Sequence, residues 1–166
     1  MIKNLIIIAF INSISFTALA SKLEYEYKEV DSFETLSEYA NTEQFEQSYQ
    51  NYIQDCLDHS GGGAGGIRCL IDYEIWDREL NIYYRKLHQV LDNKGKDMLK
   101  TAQLAWIEKR DLSIDFNSYI LDLEYEGKIG TMYLLMRAGD ANRVIAKIVK
   151  QRALLLKKWY ERAKSL

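Results

Sequence analysis

Apolar positions recur at steps of three and four through most of the chain, and that recurrence predicts helices. From Thr42, which reads as an N-cap, Phe45, Tyr49, Tyr52 or Ile53, and Cys56 mark one face, with Glu43, Glu46, Gln47 and Gln50 on the others. The stretch CLIDYEIWDRELNIYYRKLHQVL, Cys69 to Leu91, sets Leu70, Tyr73, Trp76 or Asp77, Leu80, Tyr84, Leu87 and Leu91 on one stripe of a helix of about six turns. Asp92-Asn93-Lys94-Gly95 supplies a stop, with Gly95 able to take positive φ. A third helix, Lys96 to about Leu123, carries Met98, Ala102, Ala105 or Trp106, Leu112, Phe116, Tyr119 or Ile120, and Leu123. Thr131 then caps a short apolar segment, Gly139 breaks it, and Asp140 caps a last helix with the stripe Ala141, Ile145, Ile148, Arg152, Leu155 and Trp159.

Several polar side chains lie in or beside these stripes: Asp77, Asn81, Gln103, Arg110, Asp111 and Arg152. Unpaired and buried, each would cost roughly 1–3 kcal/mol, so the expectation is a buried polar network that fixes helix register, with Arg152 held by Asp111 or Asp77. No proline occurs anywhere and strand-like runs are few. The pattern therefore specifies an all-α fold, a small antiparallel bundle of three to four main helices.

The first twenty residues change the picture of where the protein works. Lys3 precedes an apolar run from Leu5 to about Phe16, and Ala18-Leu19-Ala20 forms a small-x-small site. This reads as a signal peptide, residues 1–20, cleaved after Ala20. The run is too short to span a bilayer and contains Asn12 and Ser13, so stable membrane insertion after cleavage is not expected. Residues 21–41 form an acidic N-terminal arm, in which SKLEYEYKEV reads as a loosely ordered extension more than an edge strand, and residues 42–166 form the helical domain.

Charge is polarised. Ser21 to Asp55 holds nine acids against two bases, and Ala141 to Leu166 holds eight bases against one acid. Helix faces that complement one another account for this more simply than two separate partners. Cys56 and Cys69 bracket HSGGGAGGIR. In an exported chain this spacing predicts one disulfide across a flexible glycine linker, worth about 3 kcal/mol.

Candidate chemistry is sparse. The chain has no Ser-His-Asp set and only two histidines, His59 and His88, which argues against nucleophilic catalysis. Glu74, Asp77 and Glu79 do not form an acid pair, because Asp77 and Glu79 diverge on a helix. The glycine run lacks a following Lys-Ser or Lys-Thr for phosphate, and the two cysteines lack the further ligands a metal would need. No enzyme activity, cofactor, metal or nucleic-acid partner is expected.

The motifs together carry a family resemblance. Cys56 and Cys69, then Glu74, Trp76, Asp77, Glu79, Leu80, Asn81, Tyr84 and Leu87, then Ala102, Gln103, Ala105, Trp106, Arg110 and Asp111, then Gly130, Thr131 and Arg152 stand in one order. That order resembles the LprI-type lysozyme inhibitors, small exported bacterial proteins, over roughly Asn51 to Leu156. Members usually carry a second cysteine pair, where this chain has Ile114 and Val144 or a neighbour. The resemblance implies that the motif residues are structural and that the protein is a periplasmic or secreted inhibitor of a lysozyme or other peptidoglycan-cleaving enzyme. It would act by binding; the acidic segment, which lies outside the match, offers Glu43 and Glu46 as partner contacts by its charge. The alternative is a cell-envelope interaction or scaffold domain with no lysozyme target.

Overall fold

The structure, a computed structural model, describes residues 25–165. The expected signal peptide and its cleavage site lie outside the described residues. Four helices follow one another: α1 (Thr42–His59), α2 (Asp72–Val90), α3 (Asn93–Glu124) and α4 (Thr131–Lys164). Short 3-10 turns at Val30–Ser32, Leu36–Glu38 and Gly63–Cys69 fill the connections, and no strand occurs among the described residues.

Local chemistry sets the ends. Asn41, not Thr42, caps α1, its Oδ1 accepting the Gln44 amide at 2.8 Å. Asp92 caps α3 in the same way by accepting the Gly95 amide at 2.7 Å, so Gly95 lies in the first turn of α3 and is not the stop expected of it. Gly127 and Gly130, at φ 71° and 117°, turn the chain between α3 and α4. The break expected at Gly139 does not occur. A single glycine costs a helix about 1 kcal/mol, too little to interrupt 34 residues held on both sides by packing. Asp140, expected as a cap, instead accepts the Tyr125 hydroxyl at 2.7 Å and pairs with Arg143.

Successive helices run antiparallel. Phe45 and Tyr49 of α1 meet Trp76 of α2, and Asp122 of α3 pairs with Arg137 of α4. α2 and α4 therefore lie side by side in the same direction, Trp76 beside Lys150 and Tyr83 beside Tyr160. Phe45, Ile75, Trp76, Val149 and Leu156 fill the centre. The Cys56–Cys69 disulfide, Cα atoms 5.6 Å apart, is fully buried at one end of the core.

Four expectations are corrected here. The buried stripe of α2 is Ile75, Trp76, Glu79, Leu80, Tyr83 and Leu87, turned from the expected one by the burial of Glu79, and that of α4 is Ala146, Val149, Arg152, Ala153 and Leu156, which keeps Arg152 but replaces Ile148, Leu155 and Trp159 as its apolar neighbours. The glycine linker is a packed 3-10 turn. Gly66 is buried where a Cβ would lie 3.0 Å from Leu135 and 3.1 Å from Leu57, so glycine is what lets α4 approach. The acidic arm is docked: Leu36 is buried, and Tyr25, Tyr27, Val30, Phe33 and Tyr39 pack on the core. Finally, α3 buries only Leu99, Gln103 and Leu121, and its apolar stripe faces outward.

Candidate binding surface

The residues singled out by sequence fall into three places. In the core, the Trp76 indole N–H donates to the Tyr49 hydroxyl at 2.9 Å and its ring packs edge-on to Phe45. Burial pushes the Tyr49 hydroxyl pKa up, so it stays a neutral acceptor at any physiological pH. Leu80 is buried beside them. Glu79 is fully buried and takes Arg78 Nη2 on Oε1 at 2.9 Å, leaving Oε2 without a well-formed hydrogen bond. Burial raises its carboxyl pKa, with Arg78 and the Leu36 amide pulling the other way. The same Arg78 donates to the carbonyls of Val30, Phe33 and Glu34 at 2.6, 2.7 and 3.0 Å. One guanidinium thus clamps the N-terminal segment to α2. Sequence reasoning missed Arg78; an Arg beside the buried-face Glu79 was the available signal.

Between α3 and α4, Arg152 is 7% exposed and donates from Nε to Gln103 Oε1 at 3.0 Å. Its guanidinium carbon lies 5.7 Å from the Trp106 ring and 5.3 Å from the Trp159 ring, and Nη2 has no partner. The carboxylate expected from Asp111 or Asp77 is not there. Asp111 pairs instead with its neighbour Arg110, which stacks on the other side of the network over Trp106 at 5.4 Å. Two guanidiniums thus share one indole, and burial alone pulls the Arg152 pKa down. Tyr84, of the same motif, is half-buried.

The remaining motif residues lie on the surface. Glu74 and Asn81 are exposed and Asp77 is half-buried; Asn81 Nδ2 donates to Asp77 Oδ2 at 3.0 Å, one helical turn away. Asp77 and Asn81 were expected inside a buried network, and the rotation of α2 brings them out. With Asp31, Arg78 and Arg85 they line an open groove of about 450 Å³ that runs along Tyr73. Burial raises the Tyr73 pKa first, and the charges of Asp77, Asp111 and Glu74 add to it against Arg110. Three motif carboxylates thus converge on one tyrosine at the edge of α2 and α3. Of the two acids expected as contacts, Glu43 is exposed, while Glu46 is half-buried and held by Lys150 Nζ at 2.5 Å.

The groove offers carboxylates, two guanidiniums and a phenol at a solvated surface, an arrangement suited to meeting charge and poor in nucleophiles. No group of three or more His, Cys, Asp and Glu close enough to hold a metal ion occurs among the described residues, and no described helix is long and apolar enough to cross a membrane. No curated protein and no solved structure matches the chain. A family model does: the one described as lysozyme inhibitor LprI matches residues 56–154, from the first cysteine of the disulfide to the middle of α4. The chain belongs to the LprI lysozyme inhibitor family.

Proposed function

We propose that the protein is exported, with its signal peptide removed after Ala20, and inhibits a lysozyme or a related peptidoglycan-cleaving enzyme by binding it. Family membership over residues 56–154 is the observation that carries this reading. The groove on α2 supports a location for the contact: its carboxylates Glu74, Asp77 and Asp31 meet basic groups of the enzyme and Arg85 an acidic one, while Arg78, turned to the N-terminal segment, and Trp76 keep the surface rigid. Glu43 adds charge from the α1 end, and Glu46, satisfied by Lys150, adds little. Long-range attraction of this kind raises the encounter rate more than the affinity.

Titration calorimetry of the oxidised protein against a basic c-type lysozyme tests the location. Binding weakens between low and physiological ionic strength, where the screening length is about 8 Å. The double substitution Glu74→Gln with Asp77→Asn weakens it at low salt, whereas a variant that binds like the parent places the contact elsewhere.

A further inference from the structure

The outward stripe of α3 has a period that a solvated face does not need. Met98, Ala102, Ala105, Lys109, Leu112, Phe116, Tyr119 and Leu123 follow one another at alternating steps of four and three, an unbroken seven-residue repeat along about 38 Å of helix. All eight are exposed, and Met98, Leu112, Phe116, Tyr119 and Leu123 each show between 54% and 66% of their surface. α2 and α4 occupy the opposite side of α3, so nothing within the described chain covers the stripe.

The two halves of the stripe differ in a complementary way. The C-terminal half carries the protruding side chains Leu112, Phe116, Tyr119 and Leu123, and the N-terminal half carries Ala102 and Ala105. Beside Met98 and Ala102 opens an apolar cavity of about 300 Å³, walled by Leu87, Leu91, Trp159 and Ala163. A two-fold axis between Lys109 and Leu112 sets Met98 opposite Leu123, Ala102 opposite Tyr119, Ala105 opposite Phe116 and Lys109 opposite Leu112. Each ring then meets an alanine, and Tyr119 and Ile120 of each copy lie over the apolar cavity of the other. A parallel pairing would instead stack Phe116 on Phe116 and Lys109 on Lys109.

Glu108 and Asp115 flank the stripe on its outer side, and Lys109 is its only charged member. Set opposite Leu112, the Lys109 ammonium extends to the acids along the partner's edge, as a single polar residue in such a seam fixes register. Phe116 and Tyr119, 66% and 59% exposed, bring about two thirds of the roughly 150–250 Å² that a whole aromatic side chain buries; with four such rings and the flanking aliphatic side chains, the contact reaches the ~1,000 Å² that a specific interface requires.

We infer that α3 is a dimerisation helix, which pairs antiparallel with α3 of a second copy of this chain. The inference rests on the α3 pattern and the cavity and does not depend on lysozyme binding.

Sedimentation equilibrium of the purified, oxidised protein, with single-cysteine crosslinking, tests it. The protein sediments as a dimer at micromolar concentration, and Phe116→Glu weakens the dimer by about tenfold or more without lowering helicity, because Phe116 is exposed in the monomer. A mixture of Met98→Cys and Leu123→Cys copies forms disulfide-linked dimers, and Leu123→Cys in every copy does not, because the antiparallel seam sets the two Leu123 about 38 Å apart. A protein that stays monomeric at such concentrations, including one that binds lipid vesicles through this face instead, overturns the inference. So does a dimer indifferent to Phe116→Glu, or linkage through Leu123→Cys alone, which would mark a parallel seam.

Discussion

Arg152 donates from Nε to Gln103 Oε1 at 3.0 Å, and this amide is its only hydrogen-bond acceptor among the described residues. A buried cation is therefore held by a neutral oxygen and two indole faces, with no countercharge in hydrogen-bond contact. Removing the amide leaves that cation without an acceptor, whereas replacing the cation by an apolar chain removes the desolvation cost itself. Gln103→Leu should lower stability by about 1–3 kcal/mol, and Arg152→Met should cost clearly less. Denaturant melts of the two variants check the order; the reverse order would mean that the indole contacts outweigh the desolvation of Arg152.

Arg78 should act at a distance from its own helix. It is the donor to three carbonyls of the N-terminal segment, and a lysine cannot reproduce that fork. Arg78→Lys should open residues 25–39 to limited proteolysis while the disulfide-linked helices remain intact. Cleavage no faster than in the parent would show that the packing of Leu36, Phe33 and Tyr39 holds the segment unaided.

Glu79 gives a pH signature of definite sign. Its pKa is raised on folding, so across the interval from the ordinary carboxylate pKa up to the folded one the folded state binds more protons than the unfolded state. This residue's contribution therefore falls as pH rises through that interval, the opposite of a salt-bridged surface acid. Compared with Glu79→Gln, the parent should lose relative stability on going from strongly acid to neutral pH. A difference between the two that is flat with pH would show that Arg78 fully offsets the burial.

The disulfide should resist reductant in the native state, since both sulfurs belong to fully buried residues. Reduced under denaturing conditions and refolded, the protein should be about 3 kcal/mol less stable, the entropic value for a loop of this size. Intact mass before and after reduction, paired with a melt, checks both points; rapid reduction of the native protein would show that this end of the core opens readily.

Helices, their order and the disulfide were legible because spacing of apolar residues and of cysteines is a local property of the chain. What could not be read was rotation. Glu79 occupies a buried position that hydropathy assigns to the outside, and this turned the expected face of α2 and brought Asn81 and part of Asp77 to the surface; Arg152 is buried as expected, but Val149, Ala153 and Leu156 flank it in place of Ile148, Leu155 and Trp159. Gly139 looked like a breaker because sequence alone does not show the packing that carries α4 through it. The α3 stripe was read correctly as apolar, but periodicity cannot say whether its partner lies in the same chain. Tyr73 was visible only as one member of a core stripe; Glu74 and Asp77 are its neighbours on α2, but Asp111 and Arg110 act on it only through the meeting of α2 with α3.

The most direct measurement is the rate at which a c-type lysozyme clears a cell-wall suspension, at low salt, with increasing amounts of the oxidised protein. Inhibition should saturate, should weaken at physiological salt, and should be reduced by the double substitution Glu74→Gln with Asp77→Asn but not by Glu46→Gln. If a folded, disulfide-intact sample leaves c-type, g-type and i-type enzymes at full rate, the protein does not inhibit these lysozymes.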